Sequence, residues 1–157
     1  MSSESASDQT DRHWLSFHIG AQLYAAPLTA VNEVIRDGEI TPVPGAPADV
    51  LGVRHLRGRI VPVLDGCLRM GVPQPPADPA RVRVVMLVHA GQMVGIRVDA
   101  IGELLRTDGI EIEPPPPGRA RRSDDPVTGV LSWQGGFVAL LDVCRLCRLG
   151  GDAADVA

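Results

Sequence analysis

Cys144 and Cys147 stand in a C-x-x-C, the spacing used by zinc sites and dithiol redox centres. A zinc site needs about four ligands. Beyond this pair the chain offers only Cys67 and the scattered His13, His18, His55 and His89. Asp65 and Asp142 form a second pair, and paired carboxylates can divide acid and base work. Each, however, follows an apolar run, where an aspartate also closes a strand or caps the next turn. A serine or cysteine nucleophile needs a base held by a third group, and no histidine here lies beside a Gly-rich elbow or a carboxylate motif. The stretch "HLRGRIVPVLDG" (His55–Gly66) brackets Gly58 with Arg57 and Arg59. A phosphate cradle would need that glycine to open a helix, but it opens an apolar run. Catalysis and metal binding therefore have no positive support, and Arg57 is left to explain.

The elements that carry these residues occur twice. "GAQLYAAPLTAVNEVIR" (Gly20–Arg36) overlays "HAGQMVGIRVDAIGELLR" (His89–Arg106) when Gln22 is set on Gln92. Leu23 then meets Met93, Ala25 meets Gly95, Val31 meets Ile101, and Glu33 and Arg36 meet Glu103 and Arg106. "GVRHLRGRIVPVLDGC" (Gly52–Cys67) overlays "GVLSWQGGFVALLDVC" (Gly129–Cys144), with Gly52, Val53, Gly58, Val61, Leu64, Asp65 and Cys67 recurring identically. The shared place of Cys67 and Cys144 suggests a small buried packing position. The recurrence of Asp65 and Asp142 favours capping over catalysis. Arg57 is different, because its counterpart is Gln134, just as Arg59 matches Gly136. The architecture does not demand that cation, so it points to a partner or to a specific ion pair, with Glu33 the acidic candidate.

Strand signals dominate both copies. "LSFHIG" and "QLYAAPL" make one hairpin, "VRVVMLVHA" and "MVGIRVDAI" its counterpart, and "GRIVPVLD" and "GGFVALLD" are continuous apolar runs of strand length. Pro62 has no N–H for a ladder, which places its strand at an edge or a bulge. "PADVLG" (Pro47–Gly52) could form one helical turn, and Asp142 could cap "VCRLCRL", where Val143, Leu146 and Leu149 share a face. Aromatics are only 3%, so the core must be aliphatic. Short strands separated by turn signals predict an all-β fold of two small barrels produced by duplication and packed together, with a short C-terminal helix. The expected organisation is a disordered tail over 1–12, a first barrel over about 13–72, a linker over about 73–80, a second barrel over about 81–142, a helix over about 143–149 and a flexible tail over 151–157. "PPPPGRARRSDDP" (Pro114–Pro126) reads as a charged loop inserted in the second copy.

Net charge is −4, which argues against a nucleic-acid role, since such domains are usually net basic. All basic residues are arginine, which we read as genomic composition and not as chemistry. No apolar stretch reaches membrane-span length and the N-terminus is polar, so the expected address is cytoplasmic, without membrane insertion and with reduced thiols.

"ITPVPGAPADVLGVRHLRGRIVPVLD" (Ile40–Asp65) closely resembles the signature segment of the CheW family, the chemotaxis coupling proteins. "GIRVDAIGELLR", "EIEPPP" and "GVLSWQGGFVALLD" resemble that family's second subdomain, so the likeness runs through 13–150. The resemblance implies two SH3-like five-stranded β-barrels, no enzymatic activity and no cofactor. It implies an adaptor that couples the cytoplasmic tip of a methyl-accepting chemoreceptor to the regulatory domain of a CheA-type histidine kinase, with further CheW-like neighbours in a ring and recruitment to membrane-associated arrays. By resemblance Val31, Glu33, Arg57, Ile101 and Leu104 would face the receptor, and Gly52, Val53 and Arg54 the kinase. Two departures stand out: Arg54-His55 replaces the usual small residue and asparagine, and Gly66 replaces a leucine. The alternative is a barrel that binds nucleic acid through Arg54, Arg57 and Arg59.

Overall fold

The computed structural model describes residues 12–76, 78–115 and 125–148. The expected tails apart from Arg12, together with Leu149 and the central part of the charged loop, lie outside the described residues. Ten strands run in chain order as β1 (His13–Ile19), β2 (Gln22–Pro27), β3 (Val31–Arg36), β4 (Val50–Leu56), β5 (Arg59–Asp65), β6 (Arg83–His89), β7 (Gln92–Val98), β8 (Ala100–Arg106), β9 (Val127–Trp133) and β10 (Gly136–Leu141). Two short helices follow β5 and β10: α1 (Gly66–Met70) and α2 (Val143–Leu146).

The strands form two five-stranded sheets, ordered β8-β1-β2-β10-β9 and β3-β6-β7-β5-β4. Under the repeat alignment these two orders are the same. The copies have exchanged their opening hairpins. β1 and β2 of the first copy complete the sheet of β8, β9 and β10, while β6 and β7 of the second copy complete that of β3, β4 and β5. The expected barrel boundary between 72 and 81 therefore separates the repeats but not the sheets. Sequence order could not show this, because both sheets are joined by parallel pairings between distant strands. Those pairings agree in register: Ala25 lies opposite Leu140, and the equivalent Gly95 lies opposite Val63.

Each sheet closes on itself through the segment that leaves its edge strand. After β3, Thr41 bridges Val53 of β4, with backbone hydrogen bonds of 2.8 and 2.9 Å. After β8, Glu113 bridges Val130 of β9, both bonds at 2.8 Å. This crossing explains the repeated Gly-Val. A β-carbon on Gly52 would stand 2.2 Å from the Thr41 carbonyl oxygen, and one on Gly129 would stand 2.8 Å from Ile112 Cγ2. The reversals between β4 and β5 and between β9 and β10 put Arg57-Gly58 and Gln134-Gly135 at positive φ (51° and 79°, 48° and 80°). Two consecutive left-handed residues match the right-handed twist of a hairpin.

The apolar runs are continuous because alternate side chains are buried on opposite faces. Val61, Val63, Val84 and Met86 fill one barrel; Ala25, Leu105, Leu131, Val138 and Leu140 fill the other. The intervening residues Phe17, Tyr24, Leu64, Val85, Leu87 and Leu141 turn outward into a third layer shared by both sheets. Each such side chain contributes about 1.5–3 kcal/mol on burial, so the barrels are joined by a core of their own.

Three local expectations need correction. Pro62 lies in an interior strand, between β7 and β4. It is tolerated because the parallel ladder with β7 begins only at Val63, leaving that flank open at the proline. The segment "PADVLG" is not helical; a Pro47–Val50 turn leads directly into β4. The helix α1 was not expected, although it is the repeat equivalent of α2. Asp65 caps it by accepting from Leu68 N at 3.2 Å, as Asp142 accepts from Arg145 N at 3.1 Å, and Gly71 ends it in the left-handed conformation.

Candidate functional site at the seam between the barrels

β3 and β8 are the edge strands that flank the shared core, and both begin against it: Val31 and Ile101 pack on the same inter-sheet layer. Each strand carries the same irregularity. The register of β3 against β6 shifts between Val31 and Glu33, and that of β8 against β1 shifts at Ser16, opposite Gly102-Glu103. Such bulges re-aim the residues that follow, here Glu33 and Glu103. The second bulge is held by Ser16, which is fully buried; its hydroxyl accepts from Glu103 N and donates to Glu103 O, both at 2.7 Å. Beyond the bulges Val34 and Leu104 point outward, 38% and 53% exposed.

Arg57 reaches from its hairpin turn to β3 and donates to Glu33 Oε1 at 2.5 Å. The guanidinium side chain remains 70% exposed while Glu33 is 20% exposed. The hydrogen bond, and then the charge, of Glu33 raise the Arg57 pKa further above its ordinary value, so the cation is permanent. The pair leaves one flank of the guanidinium open to solvent beside a half-buried apolar edge. The expected receptor set is therefore gathered in part: Glu33 and Arg57 touch, Val31 and Ile101 share one layer, and Leu104 stands exposed on the second edge strand.

The expected kinase set lies on β4. Gly52 is buried beneath the Thr41 crossing and serves shape; Val53 makes the closing bridge. Arg54 donates to Arg36 O at 2.6 Å, its guanidinium lying where a β-carbon on Gly38 would be. Two of the three arginines in the nucleic-acid alternative thus have internal partners, which leaves no cluster of free cations at that turn.

The thiols separate into different environments. Cys67 is buried, with its Sγ 3.6 Å from Asp99 Oδ2; burial, and then the neighbouring carboxylate, push its pKa up to about 11. Burial pushes Cys147 up to about 12, whereas Cys144 is exposed. The expectation that Cys67 and Cys144 share a buried position fails, because α2 turns Cys144 outward while α1 tucks Cys67 against β7 and Asp99. Among the described residues no group of three or more His, Cys, Asp or Glu side chains is placed to hold a metal ion. A concavity of about 670 Å³ is lined by Tyr24, Val127, Phe137 and Pro114-Pro115 among others and includes none of the candidate residues. Sequence reasoning also missed Arg69, 12% exposed, which donates to the carbonyls of Leu146 and Arg145 at 3.1 and 2.5 Å and so fastens α2 to α1. A half-buried arginine that satisfies the carbonyls of a distant helix end leaves no trace in sequence spacing.

Comparison with protein families gives a match to the CheW-like domain over residues 13–150. The chain belongs to the CheW-like domain family. Within that family it is similar to the chemotaxis protein CheW of Rhizobium meliloti (strain 1021), 31% identical over 133 residues, covering 84% of each chain. It is 29% identical over 137 residues to the probable chemotaxis protein CheW of Rhizobium etli, covering 87% of each. Among solved structures it resembles the scaffolding protein TtCheW from Thermoanaerobacter tengcongensis, with a TM-score of 0.78, 28% identity and coverage of 90% of this chain and 95% of that one. The two five-stranded sheets of this CheW-like domain agree with that likeness, and the chemotaxis adaptor class follows from membership. No described helix is long and apolar enough to cross a membrane.

Proposed function

We propose that this CheW-like protein is a non-catalytic coupling scaffold that joins the cytoplasmic tip of a methyl-accepting chemoreceptor to the regulatory domain of a CheA-type histidine kinase. The observation that carries the reading is the Arg57–Glu33 pair on β3, the edge strand whose Val31 packs on the inter-sheet layer. It is an exposed, permanently charged group, fixed in place by a bulged strand and set beside apolar edge residues. A helical hairpin laid on this seam would desolvate Val31, Ile101 and Leu104 while Arg57 fixes its register, the division of labour seen in helix-in-groove recognition. The kinase would approach β4 at Val53 and Arg54, with Gly52 shaping the backbone beneath them. Because that kinase domain resembles this fold, the contact is barrel on barrel and can extend to further CheW-like neighbours in a ring. Recruitment to membrane-associated receptor arrays from the cytoplasm needs no insertion into the bilayer.

The test uses purified full-length protein with a chemoreceptor signalling domain and a CheA-type kinase from the source organism. Separate binding to each, and a ternary complex in which the two do not compete, is the expected result. Mutually exclusive binding, or binding to neither, overturns the reading.

A further inference from the structure

Reciprocal exchange has a geometric consequence. The operation that carries the first copy onto the second also carries the second sheet onto the first, so applying it twice returns the starting arrangement. The barrels are therefore related by an approximate two-fold axis through their shared layer. The two edge strands and the two hairpin turns carry equivalent pairs: Val31 with Ile101, both packed on the shared layer, Glu33 with Glu103, Val34 with Leu104, and Arg57 with Gln134.

A symmetric seam would accept a helical partner in either of two opposed directions at equal energy. Charge removes that equality. On the β3 side Glu33 is neutralised by Arg57. On the β8 side Gln134 occupies the same left-handed turn position and carries no charge. The Glu103 backbone is clamped at both its N–H and its carbonyl by Ser16, yet among the described residues no hydrogen bond or ion pair engages its carboxylate. Arg106, the next cation along β8, is bound to Asp108 at 2.6 Å, which also meets Arg12 at 3.3 Å. An exposed and unneutralised acid on a clamped backbone thus lies next to Leu104, the more exposed of the two outward apolar residues.

We infer that Glu103 is a second ionic contact of the receptor face, one that takes a basic side chain of the docked helical hairpin and so sets which way round the hairpin lies across the seam. The inference rests on the coupling reading above and adds to it a specificity determinant and the sign of the charge it recognises. An acidic group of the receptor would sit toward Arg57, and a basic one toward Glu103. Charge pairs of this kind act chiefly on orientation and on the rejection of wrong poses.

The experiment titrates full-length protein with the soluble chemoreceptor signalling domain, using kinase regulatory-domain binding as the control for folding. Gln134→Arg supplies Glu103 with an internal partner, as Arg57 supplies Glu33, at a turn position that already accepts arginine in the other copy. It is expected to weaken receptor binding by about tenfold, and Glu103→Arg to weaken it further, with kinase binding unchanged in both. If the parent protein fails to bind receptor, the coupling reading falls and this inference with it. If the parent binds and both variants bind as tightly as it does, the coupling reading stands and the role of Glu103 is refuted.

Discussion

Replacing Ser16 with alanine tests how the second edge strand is held. The hydroxyl is fully buried and satisfies both polar groups of the Glu103 backbone at 2.7 Å. Alanine leaves a void of one oxygen atom, smaller than the volume a water needs to enter, so neither backbone group is re-satisfied from solvent. An unpaired buried polar group costs about 1–3 kcal/mol. Two groups near a partly exposed strand place the loss at about 2–3 kcal/mol. For a chain of this size that is a fall in Tm of about 5–10 °C, with the denaturant m-value unchanged because the surface exposed on unfolding is the same. The clamp also predicts a coupling. A β-carbon on Gly102 would sit 2.4 Å from Ser16 Oγ, so Gly102→Ala should be less damaging in the Ser16→Ala background than in the parent. Urea titrations of the four proteins measure both effects. A Ser16→Ala loss below about 0.5 kcal/mol, or additive single and double variants, would refute the clamp.

Other outcomes follow from the same geometry. Gly52→Ala drives a β-carbon into the Thr41 carbonyl at a backbone φ of 152° and should cost at least about 2 kcal/mol; Gly129→Ala comes too close only to the Ile112 side chain, with the Glu113 carbonyl at an ordinary 3.4 Å, and should cost less, as paired thermal melts would show. Asp142→Ala removes the α2 cap and should cost about 1 kcal/mol in the same melts. In native protein at pH 8 a thiol-specific reagent should label Cys144 rapidly and Cys67 and Cys147 only after unfolding, a count that mass spectrometry gives directly. The raised thiol pKa values work against the fold in alkali. Above about pH 9 the unfolded chain releases protons that the folded state still holds, so stability should fall progressively as pH rises toward 11 and 12.

Much of this molecule was legible because duplication wrote it twice. Setting Gly52–Cys67 on Gly129–Cys144 identifies the capping aspartates, the two hairpin turns and the unmatched Arg57, and in the fold the aspartates and the turns take equivalent places. The exchange of hairpins was not legible. A β1–β2 hairpin has the same local pattern whichever sheet it completes, and the choice is made by distant parallel pairing and by the shared core. Ser16 was passed over because a lone serine in an apolar strand gains meaning only from the bulge opposite it. The exposure of Cys144 was misjudged because equivalent positions in a repeat share a backbone place but not the covering elements. The family likeness singled out Glu33 and Arg57, and the geometry adds why they meet: the bulge in β3 turns the acid toward the left-handed turn that carries the cation.

The central claim is that Arg57 exists for docking and not for folding, and its charge reversal tests this most directly. In a reconstituted mixture of receptor, kinase and coupling protein, Arg57→Glu should abolish receptor-dependent control of kinase activity while the variant keeps its thermal stability and its binding to the kinase regulatory domain. A folded variant that restores control to the parent level would contradict the account, and so would one that cannot fold at all.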